Sequence, residues 1–200
     1  MIVKPDIGVG ASDTFKLEND EHLEKFFETL PPEPYVMEEF ITGDICSYDA
    51  GRSTAKAFGV KSRFVHLEFF RLTEAKKGLG EVGDFVGLEV NMRPAGGYTP
   101  DMIDFAHSTD VYQIWADMIT EDKRKLADNG EHFYCVYASR RDMHNYVHSH
   151  EDILTRYGKH LVMCERMPEM MVPQMGNQMY TAKVADLAAT KKFIRFVQAR

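Results

Sequence analysis

The stretch "FVGLEVNMRP", residues 85–94, decides how the chain is read. Val86, Leu88, Val90 and Met92 alternate with Gly87, Glu89, Asn91 and Arg93. Side chains of a strand point to opposite faces in turn, so the pattern predicts one apolar face and one face carrying an acid, an amide and a guanidinium in a row. Buried without partners, such groups are costly. The row therefore either meets solvent, with Arg93 neutralising one acid, or meets something it binds.

Just upstream, "RFVHLEFFRL" (63–72) repeats the two-residue period, with His66, Glu68 and Phe70 on one face and Val65, Leu67 and Phe69 on the other. The intervening "TEAKKGLGEVGD" (73–84) is polar and glycine-bearing, which predicts an antiparallel hairpin with a long loop. On neighbouring strands Glu68 lies beside Glu89 and Asn91. Two carboxylates and an amide oxygen are hard ligands that suit Mg²⁺. On spacing alone, a metal site and a solvated sheet face are equally good readings.

Composition narrows the classes. The 200 residues are 44% hydrophobic and 28% charged, an ordinary globular balance of a length for one domain or two small ones. A net charge of −7 without a basic run argues against nucleic acid, which needs a cationic surface. No apolar run approaches the ~20 residues of a membrane span, and "MIVKPDIGVG" has no signal-peptide character. Cys46, Cys135 and Cys164 form no CxxC pair and read as reduced thiols of a cytoplasmic protein, the latter two as small hydrophobes of apolar strands.

Outward from the hairpin, "MIVKP" is a short strand, "DIGVGASD" (6–13) a glycine loop and "TFKLE" a returning strand. "NDEHLEKFFETL" (19–30) is a capped helix with Leu23, Phe26, Phe27 and Leu30 at helical spacing. "YVMEEFI" (35–41) and "ICSYDA" (45–50) read as strands and "RSTAKAFG" (52–59) as a short helix. A helix is expected over 101–119, and a polar stretch at 121–131 marks a domain boundary. The remainder predicts strand (132–139), helix (150–157), strand (160–167), strand (177–183) and helix (185–199).

Glycines let backbone N–H groups approach phosphate, and a nearby lysine adds a point charge. "VKPDIGVGAS" has both, although it fits neither the P-loop nor the dinucleotide fingerprint. Taken in order, "VKP", "GVGAS", "EEFITG", "HLE" and "EVNMRPAGG" resemble the ATP-grasp superfamily, with the nearest likeness to carboxylate–amine ligases related to carbamoyl phosphate synthetase. The resemblance covers residue 1 to about 105. It implies an α+β fold with a small nucleotide-clamping subdomain (1–43), an antiparallel-sheet subdomain with the metal site (44–126) and a C-terminal α+β domain (127–200).

The resemblance also implies roles. Lys4 would bind ATP phosphate, and Gly8, Gly10, Ala11 and Ser12 would close over the phosphates. Glu38 and the backbone of Phe40 and Ile41 would hold adenine, while Glu68, Glu89 and Asn91 would bind Mg²⁺. Arg93 would be catalytic, facing the transferring phosphoryl group. The implied activity moves the γ-phosphoryl of ATP onto a small-molecule carboxylate for attack by an amine, without nucleic acid or membrane, and with homo-oligomerisation open. The family carries a domain ahead of this segment, with another ATP-binding lysine, and continues its central sheet where this chain turns to "GRSTAKAFG". Its ribose acid falls at Ile45, one place beyond Asp44. The alternative is a nucleotide-binding or assembly module, inactive as this chain.

Other residues read more plainly. His144, His148 and His150 suggest an exposed loop rather than a zinc site, which needs further ligands of defined geometry. Arg140 and Arg141 of "SRRD" read as solvated, the methionines of 163–179 as a partly buried connection, and Phe193, Phe196 and Val197 as core.

Overall fold

The computed structural model describes residues 1–6, 13–30, 32–46, 54–61, 63–127 and 130–200. Contacts divide the chain into two units, Met1–Phe58 with Leu67–Val90, and Gly59–His66 with Asn91–Arg200. The class is mixed α and β, compatible with the expected α+β, with three small antiparallel sheets among the described residues. Among the described residues no helix is long and apolar enough to cross a membrane.

In the first unit, β1 (Ile2–Pro5) lies between β2 (Phe15–Lys16) and β3 (Tyr35–Glu38), antiparallel to both. Helix α1 (Asp20–Glu28) begins where the Asn19 side chain accepts the His22 N–H at 2.9 Å, satisfying an otherwise orphaned donor. Val3, Leu17 and Phe26 are buried together, with Leu23 and Tyr35 packed on them. Phe27 and Leu30, expected on the apolar face, are 57% and 49% exposed. A sheet of three strands, one of them two residues long, covers only the i, i+3 strip of Leu23 and Phe26.

The same unit holds a second sheet of order β4-β5-β6, formed by β4 (Gly43–Cys46), β5 (His66–Leu72) and β6 (Phe85–Asn91). Gly43 pairs with Leu72 and Cys46 with Phe69. The strand expected at 45–50 thus starts two residues earlier, and residues 47–50 lie outside the described set. At the hairpin's loop end the Leu72 N–H donates to the Asp84 carbonyl at 2.9 Å, and the Gly83 N–H to the Leu72 carbonyl at 2.8 Å. Leu67 and Phe69 are buried as the alternation requires. Val90 and Met92, expected on the packed face, are 41% and 42% exposed. β6 is an edge strand, and its apolar positions pass from half-buried at Val86 and Leu88 to exposed at Val90.

The second unit carries α2 (Thr99–His107), α3 (Val111–Glu121), β7 (Tyr134–Arg140), α4 (His150–Tyr157), β8 (Leu161–Arg166), a 3₁₀ turn running into α5 (Val172–Met175), β9 (Gln178–Val184) and α6 (Leu187–Gln198). The single helix expected over 101–119 is two. Ser108 takes a left-handed conformation (φ 46°), and Asp110 caps the next helix by accepting the Gln113 N–H at 2.8 Å. Asp104 Oδ1 takes the Val111 N–H, so side-chain acceptors replace the broken helical bonds.

Sheet order β7-β9-β8 places β9 centrally, antiparallel to both neighbours, in a split β-α-β arrangement. Tyr180, Ala182 and Val184 join Val136, Ala138, Ile153, Phe193 and Val197 in one core under α4 and α6. Met179 and Thr181, alternating with them, are also buried, and α2 lies against β7 and β9. Phe193 is 0% exposed and Phe27 57%. Phe193→Ala is therefore expected to cost about 3–5 kcal/mol in urea unfolding, and Phe27→Ala about 0.5 kcal/mol or less. Equal costs would contradict this account of the core.

Candidate functional site

The first group of expected residues gathers around the segment between β3 and β4. Ile2 pairs with Glu38 and Lys4 with Val36, so Lys4 and Glu38 are diagonal neighbours on one face. The Lys4 Nζ lies 2.7 Å from Glu38 Oε2, and both side chains are partly exposed. The implied phosphate ligand is thus paired with the implied adenine-side acid, and its ammonium keeps further N–H donors. Gly8, Gly10, Ala11 and Ser12 lie outside the described residues.

Residues 39–42 are held by the loop of the β5–β6 hairpin. The Lys76 ammonium donates to the Phe40 carbonyl and sits 2.9 Å from Glu39 Oε1. The Thr73 N–H donates to the Thr42 carbonyl at 3.4 Å. Lys16 places its ammonium 4.4 Å from the centre of the Phe40 ring, and Ile41 is half-buried. A small cleft of about 230 Å³ is lined by Thr42, Leu72, Glu74, Ala75 and Lys76.

The acids occupy the sheet itself. On β5, Glu68 is half-buried and alternates with the buried Leu67 and Phe69; on β6, Glu89 is exposed and alternates with the half-buried Val86 and Leu88. Each acid is more open than the residue before it, Leu67 in β5 and Leu88 in β6, and the two strands are neighbours. Asn91 ends β6, two residues beyond Glu89. Arg93 is exposed, and its Nη1 donates to the Pro94 carbonyl at 3.0 Å. Among the described residues no three His, Cys, Asp or Glu side chains gather around a metal-sized point.

Elsewhere the chain's histidines serve other contacts. His148 stacks on Phe196 with centroids 3.7 Å apart, and His150 Nδ1 lies 2.8 Å from the Tyr180 hydroxyl. His107 and His132 share a hydrogen bond, their Nδ1 atoms 2.9 Å apart. Arg140, read as solvated, is buried: its Nε donates to the Val197 carbonyl and its Nη1 to the His148 carbonyl, both at 2.7 Å. The guanidinium thereby serves the carbonyl end of α6, where a cation is favoured. The bonds of Arg140 to Val197 and of Lys76 to Phe40 carry no local signal in sequence, because they span 57 and 36 residues.

No family model matches the chain, and no curated protein matches it.

Cys135 and Cys164 are half-buried thiols, and burial raises both. For Cys135 burial outweighs the opposing Lys183 charge and pushes it up to about 11. The unfolded thiol loses its proton from about pH 8.5, whereas the folded one keeps it to about 11. The stability this contributes is present below about pH 8.5 and is lost as pH rises through about 11. The wild-type urea midpoint is therefore expected to fall between pH 8 and 10.5 by more than that of Cys135→Ala. Parallel falls would show that the thiol does not contribute.

Proposed function

We propose that the chain is an Mg-ATP-dependent ligase of ATP-grasp type, which activates a carboxylate as an acyl phosphate for attack by an amine or similar nucleophile. The observation that carries the reading is the β4-β5-β6 sheet: it sets side by side two strands that each carry a glutamate, Glu68 and Glu89, and pairs β5 directly with the strand that leaves residues 39–42. The order of sequence motifs supplies the rest of the support. In this reading 1–43 clamp the nucleotide, β5 and β6 carry the metal acids, and the protein works in the cytoplasm on small molecules.

The donor chemistry fits magnesium. Mg²⁺ is commonly held by one or two carboxylates together with substrate phosphates and waters, so two acids suffice. Glu68 and Glu89 would hold it, with the amide oxygen of Asn91 as a further hard ligand; when bound it would neutralise charge on the triphosphate. Lys4 would contact phosphate through the N–H groups that Glu38 does not take. The backbone of Phe40 and Ile41 would receive the adenine. Arg93 would stabilise the charge that develops on the transferring phosphoryl group. Phosphoryl transfer needs positioning and charge neutralisation rather than a protein nucleophile.

A second reading, a nucleotide-binding or assembly module without catalysis, is favoured by the engagement of both cations: Lys4 with Glu38, and Arg93 with the Pro94 carbonyl. ADP release from Mg-ATP, measured across a panel of carboxylates and amines, separates the two. The ligase reading expects carboxylate-dependent release that drops on the order of 10²-fold in Glu68→Gln and in Glu89→Gln. Nucleotide binding without release under every combination would favour the module. Release unaffected by either substitution would remove the acids from the mechanism.

A further inference from the structure

Lys76 lies in what reads as a solvated turn, yet it is the more enclosed lysine of the "KK" pair: its neighbour Lys77 is exposed. The turn around it is built. The Lys76 N–H donates to the Gly80 carbonyl at 2.9 Å, and the Lys76 carbonyl accepts the N–H groups of Leu79 and Gly80, each at 3.0 Å. Asp84 accepts the Glu81 N–H at 2.9 Å and closes the other side. From this support the side chain crosses to residues 39–40, where its ammonium meets a backbone carbonyl and a carboxylate together. The Thr73–Thr42 backbone bond ties the same two segments.

The two ends of that tie matter differently. Glu39 and Phe40 belong to the segment whose backbone, in the reading above, receives adenine. Lys76 belongs to the loop that joins β5 to β6, the strands that carry Glu68 and Glu89. We infer that Lys76 is a positioning residue for the nucleotide: it fastens the adenine-binding backbone to the hairpin that carries the metal acids, and so fixes the distance between the site's base-binding and phosphate-binding ends. The inference rests on the proposed function. Its chemistry is a charge-assisted bond to a carbonyl, stronger than a neutral one, beside an exposed ion pair that adds little by itself.

A positioning role predicts a selective loss. A ligand that touches both ends of the site feels the tie; one that touches only the phosphate end does not. Mg-ATP and Mg-tripolyphosphate are the two probes, titrated calorimetrically into the full chain. Lys76→Met is expected to weaken Mg-ATP about fivefold to tenfold and to leave Mg-tripolyphosphate unchanged. Lys76→Arg, which keeps a donor and the charge, should restore most of the ATP affinity, and Lys77→Met, an equal change of charge on the exposed neighbour, should alter neither probe. Glu39→Gln should move ATP binding in the same direction by a smaller factor, which keeps the test available where Lys76→Met is unstable. Wild-type protein that prefers ATP to tripolyphosphate, with Lys76→Met unchanged or equally impaired for both, overturns this inference alone. Wild-type protein that binds the two equally overturns the adenine-binding reading, and the inference falls with it.

Discussion

A side chain on Gly43 would place its Cβ 2.7 Å from the carbonyl oxygen of Arg71 and 3.1 Å from the Phe70 Cβ. Backbone does not yield at that distance, so β4 lies against β5 only because position 43 has no side chain. The organisation of the proposed site follows from this close approach. It lets the Gly43–Leu72 pair form immediately after residues 39–42, which brings that segment to the loop end of the β5–β6 hairpin. Thr73 and Lys76 then reach Thr42, Phe40 and Glu39 from the hairpin loop. Further along β5, the half-buried Glu68 lies between the buried Leu67 and Phe69.

The two units are stabilised by different means. The second has a continuous apolar core in which β9 is buried on both faces, the arrangement that gives a sheet its largest return in area removed from water. The first has a small cluster of Val3, Leu17 and Phe26 and a sheet whose edge strand is half open. Its polar contacts, Lys4 with Glu38 and Lys76 with Glu39 and Phe40, are partly solvated and individually weak. Low local stability is what a segment needs if it is to rearrange around a ligand, and the candidate residues from Lys4 to Glu89 all lie in this unit.

Sequence was most informative where one period ran uninterrupted. The alternation of Leu67 and Phe69 with Glu68 predicted which side of β5 is buried, and Phe193 with Val197 predicted the packed face of α6. It failed where the outcome depends on what lies opposite. Val90 and Met92 obey the strand period, yet they are exposed at the far end of the strand, beyond the half-buried Val86 and Leu88. Periodicity ran straight through Ser108, whose left-handed turn depends on Asp104 and Asp110 supplying substitute acceptors. Of the candidate site, the residues themselves were legible as a motif order. The Lys4–Glu38 pairing required the β1–β3 register, and Arg140 required the end of a helix 57 residues later.

The central claim is that residues 39–42 and the β5–β6 hairpin together receive a magnesium–nucleotide. Amide hydrogen exchange of the whole chain, with and without saturating Mg-ATP, tests it most directly, because it reports each segment separately. The account predicts slower exchange on nucleotide addition in peptides covering 38–46 and 66–91, with exchange in β7, β8 and β9 unchanged. Unchanged exchange in 38–46 and 66–91, at a nucleotide concentration shown independently to saturate, or protection confined to the β7-β9-β8 sheet, would contradict it.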